Sequence, residues 1–210
     1  LVKKHYYVVK PSIPKLEIDK VPNGETASYQ PGGQTVTSQN AFFQSLGTNG
    51  RSCVTCHQPA SGMSISLRNI QKRWKKTKGT DPLFAPVDGA NCPILVPEAE
   101  TAGSIVGGKK GQSKKASEAA RSLLLTKGLI CVALPVPDNA EFKVAVVNDP
   151  TTCNTTESTN QIKVGDTVTR IVSMFRRPVM SGNLHFKTTT VFPGPGGNIM
   201  WDGREPTVKS

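Results

Sequence analysis

Histidine and cysteine are scarce in this chain, with three and five copies among 210 residues. That supply excludes an array of zinc modules, each of which needs four Cys or His ligands. Long apolar runs are missing as well. The longest spans residues 129–134 and is strand-sized, whereas a membrane-spanning helix needs about 20 apolar residues, so no membrane span is expected. Hydrophobic residues make up only 36% of the chain and aromatics 6%, which leaves room in the core for a large flat cofactor. Repeats of solenoid length are absent. Acidic residues are outnumbered, 15 against 26 Lys and Arg, for a formal charge of +11. The basic residues gather in Lys72, Arg73, Lys75, Lys76 and Lys78, and again in Lys109, Lys110, Lys114 and Lys115. No aromatic residues interleave with these runs as a stacking platform would require, so nucleic acid is not an expected partner. A solvated basic face, or a surface that docks an acidic redox partner, fits them.

Nineteen glycines and sixteen prolines point to a chain rich in loops. Leu1 opens the sequence without a methionine or a signal-peptide pattern, as in a processed mature protein or a fragment of a longer one. Residues 1–37 combine a short strand-like patch, 5–9, with repeated Pro and Gly, and read as an extended N-terminal arm ahead of one domain, 38–210. Ser38 or Asn40 caps a short helix over 41–46 that gathers Phe42, Phe43 and Leu46. Leu67, Ile70 and Trp74 recur at helical spacing and predict an amphipathic helix over about 65–77, with Arg73 among its solvated residues and Trp74 in the core. Ala116, Ala119, Ala120, Leu123 and Leu124 mark a second helix, capped by Ser113 and stopped by Gly128, with a loop over 79–112 between the two. Two strands, 129–134 and 141–147, joined by the turn 135–140, form an expected β-hairpin. Asn154 opens a glycosylation sequon, which reads here as plain surface loop.

Residues 53–57 read CVTCH. Two thiols three positions apart on one helical turn each add to one haem vinyl group, and the adjacent His57 reaches the iron from the same side. Zinc half-sites and thioredoxin-like pairs share the CxxC part. The first wants a second Cys or His pair, and the second a βαβ context; neither is visible. The expectation is one covalent haem c, held by Cys53 and Cys56 with His57 as axial ligand. Attachment of this kind follows export, so the expected compartment is periplasmic or extracellular, where disulfides persist. Cys92 and Cys153 sit in loop-like surroundings and predict a disulfide. Cys131, inside an apolar run, is expected buried and free.

The segments FFQSLGTNGRSCVTCHQP (42–59), TDPLFAPVDGANCP (80–93), SLLLTKGLI (122–130), FRRP (175–178) and MWDGREP (200–206) resemble the N-terminal haem half of bacterial di-haem cytochrome c peroxidases and their MauG-like relatives. The resemblance implies a mainly α, cytochrome c-like haem domain with long loops, to which the residues above add the small β-hairpin. It also implies a second haem domain as partner, although no second CxxCH follows here. Trp201 matches the tryptophan between the two haems of that family, which would make it an electron-path residue. Arg176, Arg177 and Arg204 are candidates for pairing with the haem propionates, because guanidinium groups contact carboxylates bidentately.

A second axial ligand decides whether the iron shuttles electrons or meets a small molecule. His185 is favoured, with Met180, Met174 and Met200 as alternatives; Met63 follows His57 too closely. Electron transfer through a single haem needs only visible features and ranks first. Peroxidase chemistry, with Glu205 as the nearest carboxylate to the family motif, is the alternative. A haem subunit docked by its N-terminal arm onto a larger assembly is a third reading.

Overall fold

The computed structural model describes residues 9–21, 23–47, 50–96, 117–151, 153–154, 161–164 and 166–182. Among them no helix is long and apolar enough to cross a membrane.

The helix predicted over 65–77 forms as α1, Leu67–Thr77. Ser66 caps it by accepting the Asn69 N–H at 3.2 Å, and Lys78, in the left-handed region, ends it by donating to the Trp74 carbonyl at 2.8 Å. Ile70 is fully buried against Leu83, Phe84, Leu124 and Leu125; Trp74, Ile65, Ile130 and Cys56 pack around this cluster. Trp74 meets Phe84 edge-on, with ring centroids 4.9 Å apart. Two further helices, α2 (Pro86–Gly89) and α3 (Ser122–Lys127), are short. The side chain of Asn91 holds the start of α3, accepting from Leu123 N at 3.0 Å and donating to Ser122 Oγ at 2.9 Å. Gly128 stops α3 with φ of 67°. A side chain at Gly89 would lie 2.8 Å from the Leu83 carbonyl, so that close turn admits only glycine.

A mainly α fold is not what these residues build. Helix, counting 3-10 turns, accounts for 29% of them and strand for 25%. Residues 12–36 make two antiparallel ribbons: β1 (Ser12–Ile13) pairs with β4 (Thr35–Val36), and β2 (Leu16–Val21) with β3 (Gly24–Tyr29). What reads as an arm therefore satisfies its backbone in ladders, and β2 packs against the 3-10 turn Pro59–Ser61 just beyond the CVTCH motif. A cleft of about 180 Å³ lies between ribbon and turn, lined by Ile13, Glu17, Thr37, Phe43, Pro59 and Ala60 among others. The short helix expected at 41–46 contracts to a 3-10 turn, Ala41–Phe43, capped by Asn40, one of the two candidates.

The expected hairpin is also replaced. β5 (Ile130–Pro135) forms, but its partner is β7 (Thr167–Arg176), which pairs on its other edge with β6 (Gln161–Val164). Residues 141–147 are irregular, with Phe142 60% and Val147 96% exposed. Among the described residues no strand pairs with them, and their alternating side chains stay mostly in water. β7 buries Ile171 and Ser173 instead.

Cys92 and Cys153 form a disulfide, with Cα atoms 5.4 Å apart. Asn154 is half-buried and tied to β7 by its side chain, which donates to the Ser173 carbonyl at 2.9 Å and accepts the Ser173 N–H at 2.7 Å. Cys131 is free and 1% exposed, and burial pushes its thiol up to about 11 despite a hydrogen bond with Ser173. The folded chain thus keeps a proton that the unfolded thiol releases near about 8.5. This contribution to stability is complete below that pH and is lost as pH rises toward about 11, at about 1.4 kcal/mol per unit. Cys131→Ala is expected to flatten the pH dependence of chemical unfolding across that window; equal slopes for the two proteins would refute it.

Candidate haem-attachment site

The chain closes a single tight turn at CVTCH. Thr55 N–H donates to the Ser52 carbonyl at 2.9 Å, and Ser52 N–H to Thr55 Oγ1 at 3.0 Å, so the turn is capped from within. Cys53–Thr55 is a 3-10 turn; the Cys53 carbonyl then accepts from Cys56 N at 3.2 Å and His57 N at 2.9 Å. Val54 is buried and anchors the turn, while Cys53 is exposed and Cys56 half-buried. Neither cysteine is in a disulfide. Burial pushes the Cys56 thiol up, and the Arg51 and Arg73 guanidinium groups pull it part of the way back.

The loop after the turn folds back on His57. Gln58 N–H donates to the Ser64 carbonyl at 2.7 Å, and Met63 N–H to the Gln58 carbonyl at 2.9 Å. Gly62 and Met63 take φ near 60°, the left-handed region, and the Met63 carbonyl ends 2.8 Å from His57 Nδ1. Ser181 Oγ lies 2.8 Å from the same nitrogen. A carbonyl only accepts, so Nδ1 donates to it, and in the neutral ring that tautomer leaves the lone pair on Nε2. Ser181 N–H also donates to the Met63 carbonyl at 3.1 Å, and Ser64 Oγ to the Pro178 carbonyl at 2.6 Å, so residues 178–181 run behind the His57 ring. These residues fit a covalent haem: two unbridged sulfurs on one turn, and an imidazole whose free nitrogen is the one a metal would take. Cys53 and Cys56 would hold the porphyrin edge and His57 Nε2 the iron, and the bound group would supply one-electron redox chemistry.

Arg176 and Arg177 stand just before the 178–181 segment. Arg177 Nε donates to the Lys127 carbonyl at 3.0 Å and Arg176 Nη1 to the Phe175 carbonyl at 3.0 Å; both residues are exposed. Met180 is exposed and its methyl group borders Gly62. Met174 is half-buried in β7, opposite Val132. His185, Met200, Trp201, Arg204 and Glu205 lie outside the described residues, as do Lys109, Lys110, Lys114 and Lys115. Arg73 corrects the reading of its run as wholly solvated, being 6% exposed. Ser181 is a site residue that no motif announced. Among the described residues no group of three or more His, Cys, Asp or Glu gathers, so a zinc site at CxxC would have to recruit ligands from outside them.

No family model matches this chain, and neither curated proteins nor solved structures give a match to it.

Proposed function

We propose that this protein transfers electrons through one covalently bound haem c, held by Cys53, Cys56 and His57. The observation that carries the reading is the doubly anchored Nδ1 of His57, beside two sulfurs that no other group claims. A fixed ring loses little motion when its other nitrogen binds iron, and a donor hydrogen bond at Nδ1 raises the basicity of Nε2. The compartment proposed is periplasmic or extracellular. The partner proposed is an acidic redox protein or a second haem domain of the di-haem peroxidase kind, steered by the basic exposed face of α1 that carries Arg68, Lys72, Lys75 and Lys76.

Electron transfer predicts an iron closed by a second protein ligand. Titration of the oxidised protein with cyanide is expected to leave its absorption spectrum unchanged over minutes, and hydrogen peroxide is expected to be consumed no faster than by buffer. A rapid cyanide adduct with peroxide turnover would replace this reading with the peroxidase alternative.

A further inference from the structure

Resting on the haem reading, we propose that Arg73 is a positioning residue for haem attachment, holding the peptide that joins the two cysteines. A helical residue among lysines is expected in water, yet Arg73 follows Ile70 by three positions and lies on the buried side of α1. Burying a cation costs several kcal/mol unless it is paired with good geometry. Asp81 supplies the pair: Arg73 Nε donates to Oδ2 at 2.8 Å and Nη2 to Oδ1, while Asp81 Oδ1 also accepts the Leu83 N–H at 2.9 Å. That fork satisfies one edge of the guanidinium. The other edge is turned to the motif, where Nη1 donates to the Thr55 carbonyl at 2.6 Å.

Thr55 is the residue between the cysteines that immediately precedes Cys56. Its carbonyl lies at the open end of a one-turn helix, where no N–H of the turn itself donates to it. On the opposite flank, Arg51 binds the same 81–88 segment, with Nε 2.8 Å from the Pro82 carbonyl and a salt bridge to Asp88. The two arginines thus clamp the attachment turn to one segment, 81–88. Attachment needs both sulfurs at the spacing of two vinyl groups on a rigid ring. Each thiol adds across one vinyl group: a C–S and a C–H bond replace the S–H bond and the π bond, with no external oxidant or reductant. Rotation of the Thr55–Cys56 peptide moves Cys56 Sγ relative to Cys53 Sγ, and Arg73 opposes that rotation.

The test co-produces wild type, Arg73→Gln, Arg73→Lys and Asp81→Asn with a haem c attachment system. Intact mass reads haem load, alkylation after denaturation with peptide mapping reads which cysteine is free, and the pyridine haemochrome band separates one thioether from two. Formation of the Cys92–Cys153 disulfide and the denaturant midpoint report folding. Wild type is expected to carry two thioethers. At least half of folded Arg73→Gln is expected to carry one, with Cys56 as the alkylated residue; Arg73→Lys, which reaches only one of the two partners, is expected to fall between. Double attachment at wild-type yield in either folded variant overturns the proposal. Should Arg73→Gln not fold, Asp81→Asn decides: the amide oxygen still caps Leu83 while the arginine is loosened, so selective release of Cys56 supports the proposal and full attachment overturns it. A wild type without haem would overturn the underlying haem reading instead, a result the other outcomes do not produce.

Discussion

Replacing Cys53 and Cys56 together by alanine is expected to abolish the retention of haem through acidified-solvent extraction, a loss of essentially all of the covalent cofactor. In wild type the two proposed C–S bonds would survive any condition that unfolds the chain. In the double variant only axial coordination, by His57 and the second protein ligand, would remain, and the imidazole bond is lost once the ring is protonated in acid. The fold should tolerate the change. Cys53 is exposed, and Cys56 packs at the margin of the Ile70, Leu83 and Phe84 cluster rather than at its centre, so removing its sulfur leaves a small gap. Each single variant keeps one thioether and is expected to hold its haem. Retention of haem by the extracted double variant would show that the anchoring groups lie elsewhere.

The second large effect is expected from the disulfide. Its cysteines are 61 residues apart, and closing a loop of that length removes enough denatured-state entropy to stabilise the fold by about 4 kcal/mol. Cys92 follows the segment that the two arginines grip, and Cys153 contacts Ser173 of β7 at 3.3 Å, so the bond ties the region of the CVTCH turn to the three-stranded sheet. Cys92→Ala with Cys153→Ala is expected to lower the denaturant midpoint by an amount corresponding to most of that figure. Wild type with the disulfide reduced is expected to match it. A change below about 1 kcal/mol would mean that the segment is held by Arg51, Arg73 and Asn91 without help.

What the chain reveals before folding follows from how local each signal is. The α1 helix was legible because Leu67, Ile70 and Trp74 recur at helical spacing within two turns. CVTCH was legible for the same reason, and the Cys92 to Cys153 pair because the third spare cysteine sat in an apolar run. Arg73 was misread because a cation in a basic run looks solvated until Asp81, eight residues on and past the helix end, is known to face it. The β5 partner was misassigned because Phe142, Val144 and Val146 alternate more cleanly than the true partner, where Ser173 occupies an inward position and is satisfied by Asn154 and Cys153. The ribbons at 12–36 were hidden by Pro14, Gly24, Pro31, Gly32 and Gly33, which sit at ends and tips of the strands rather than within them. Ser181 lies 124 residues from His57, and no local pattern encodes that contact.

The account is tested most directly by the intact mass and visible spectrum of the protein purified from a host that exports it and attaches haem c. The predicted result is a coloured protein whose mass exceeds that of the chain by one haem, with Cys53 and Cys56 both unreactive to alkylating agents after denaturation. A colourless protein of unmodified mass, with both thiols alkylated, would contradict it.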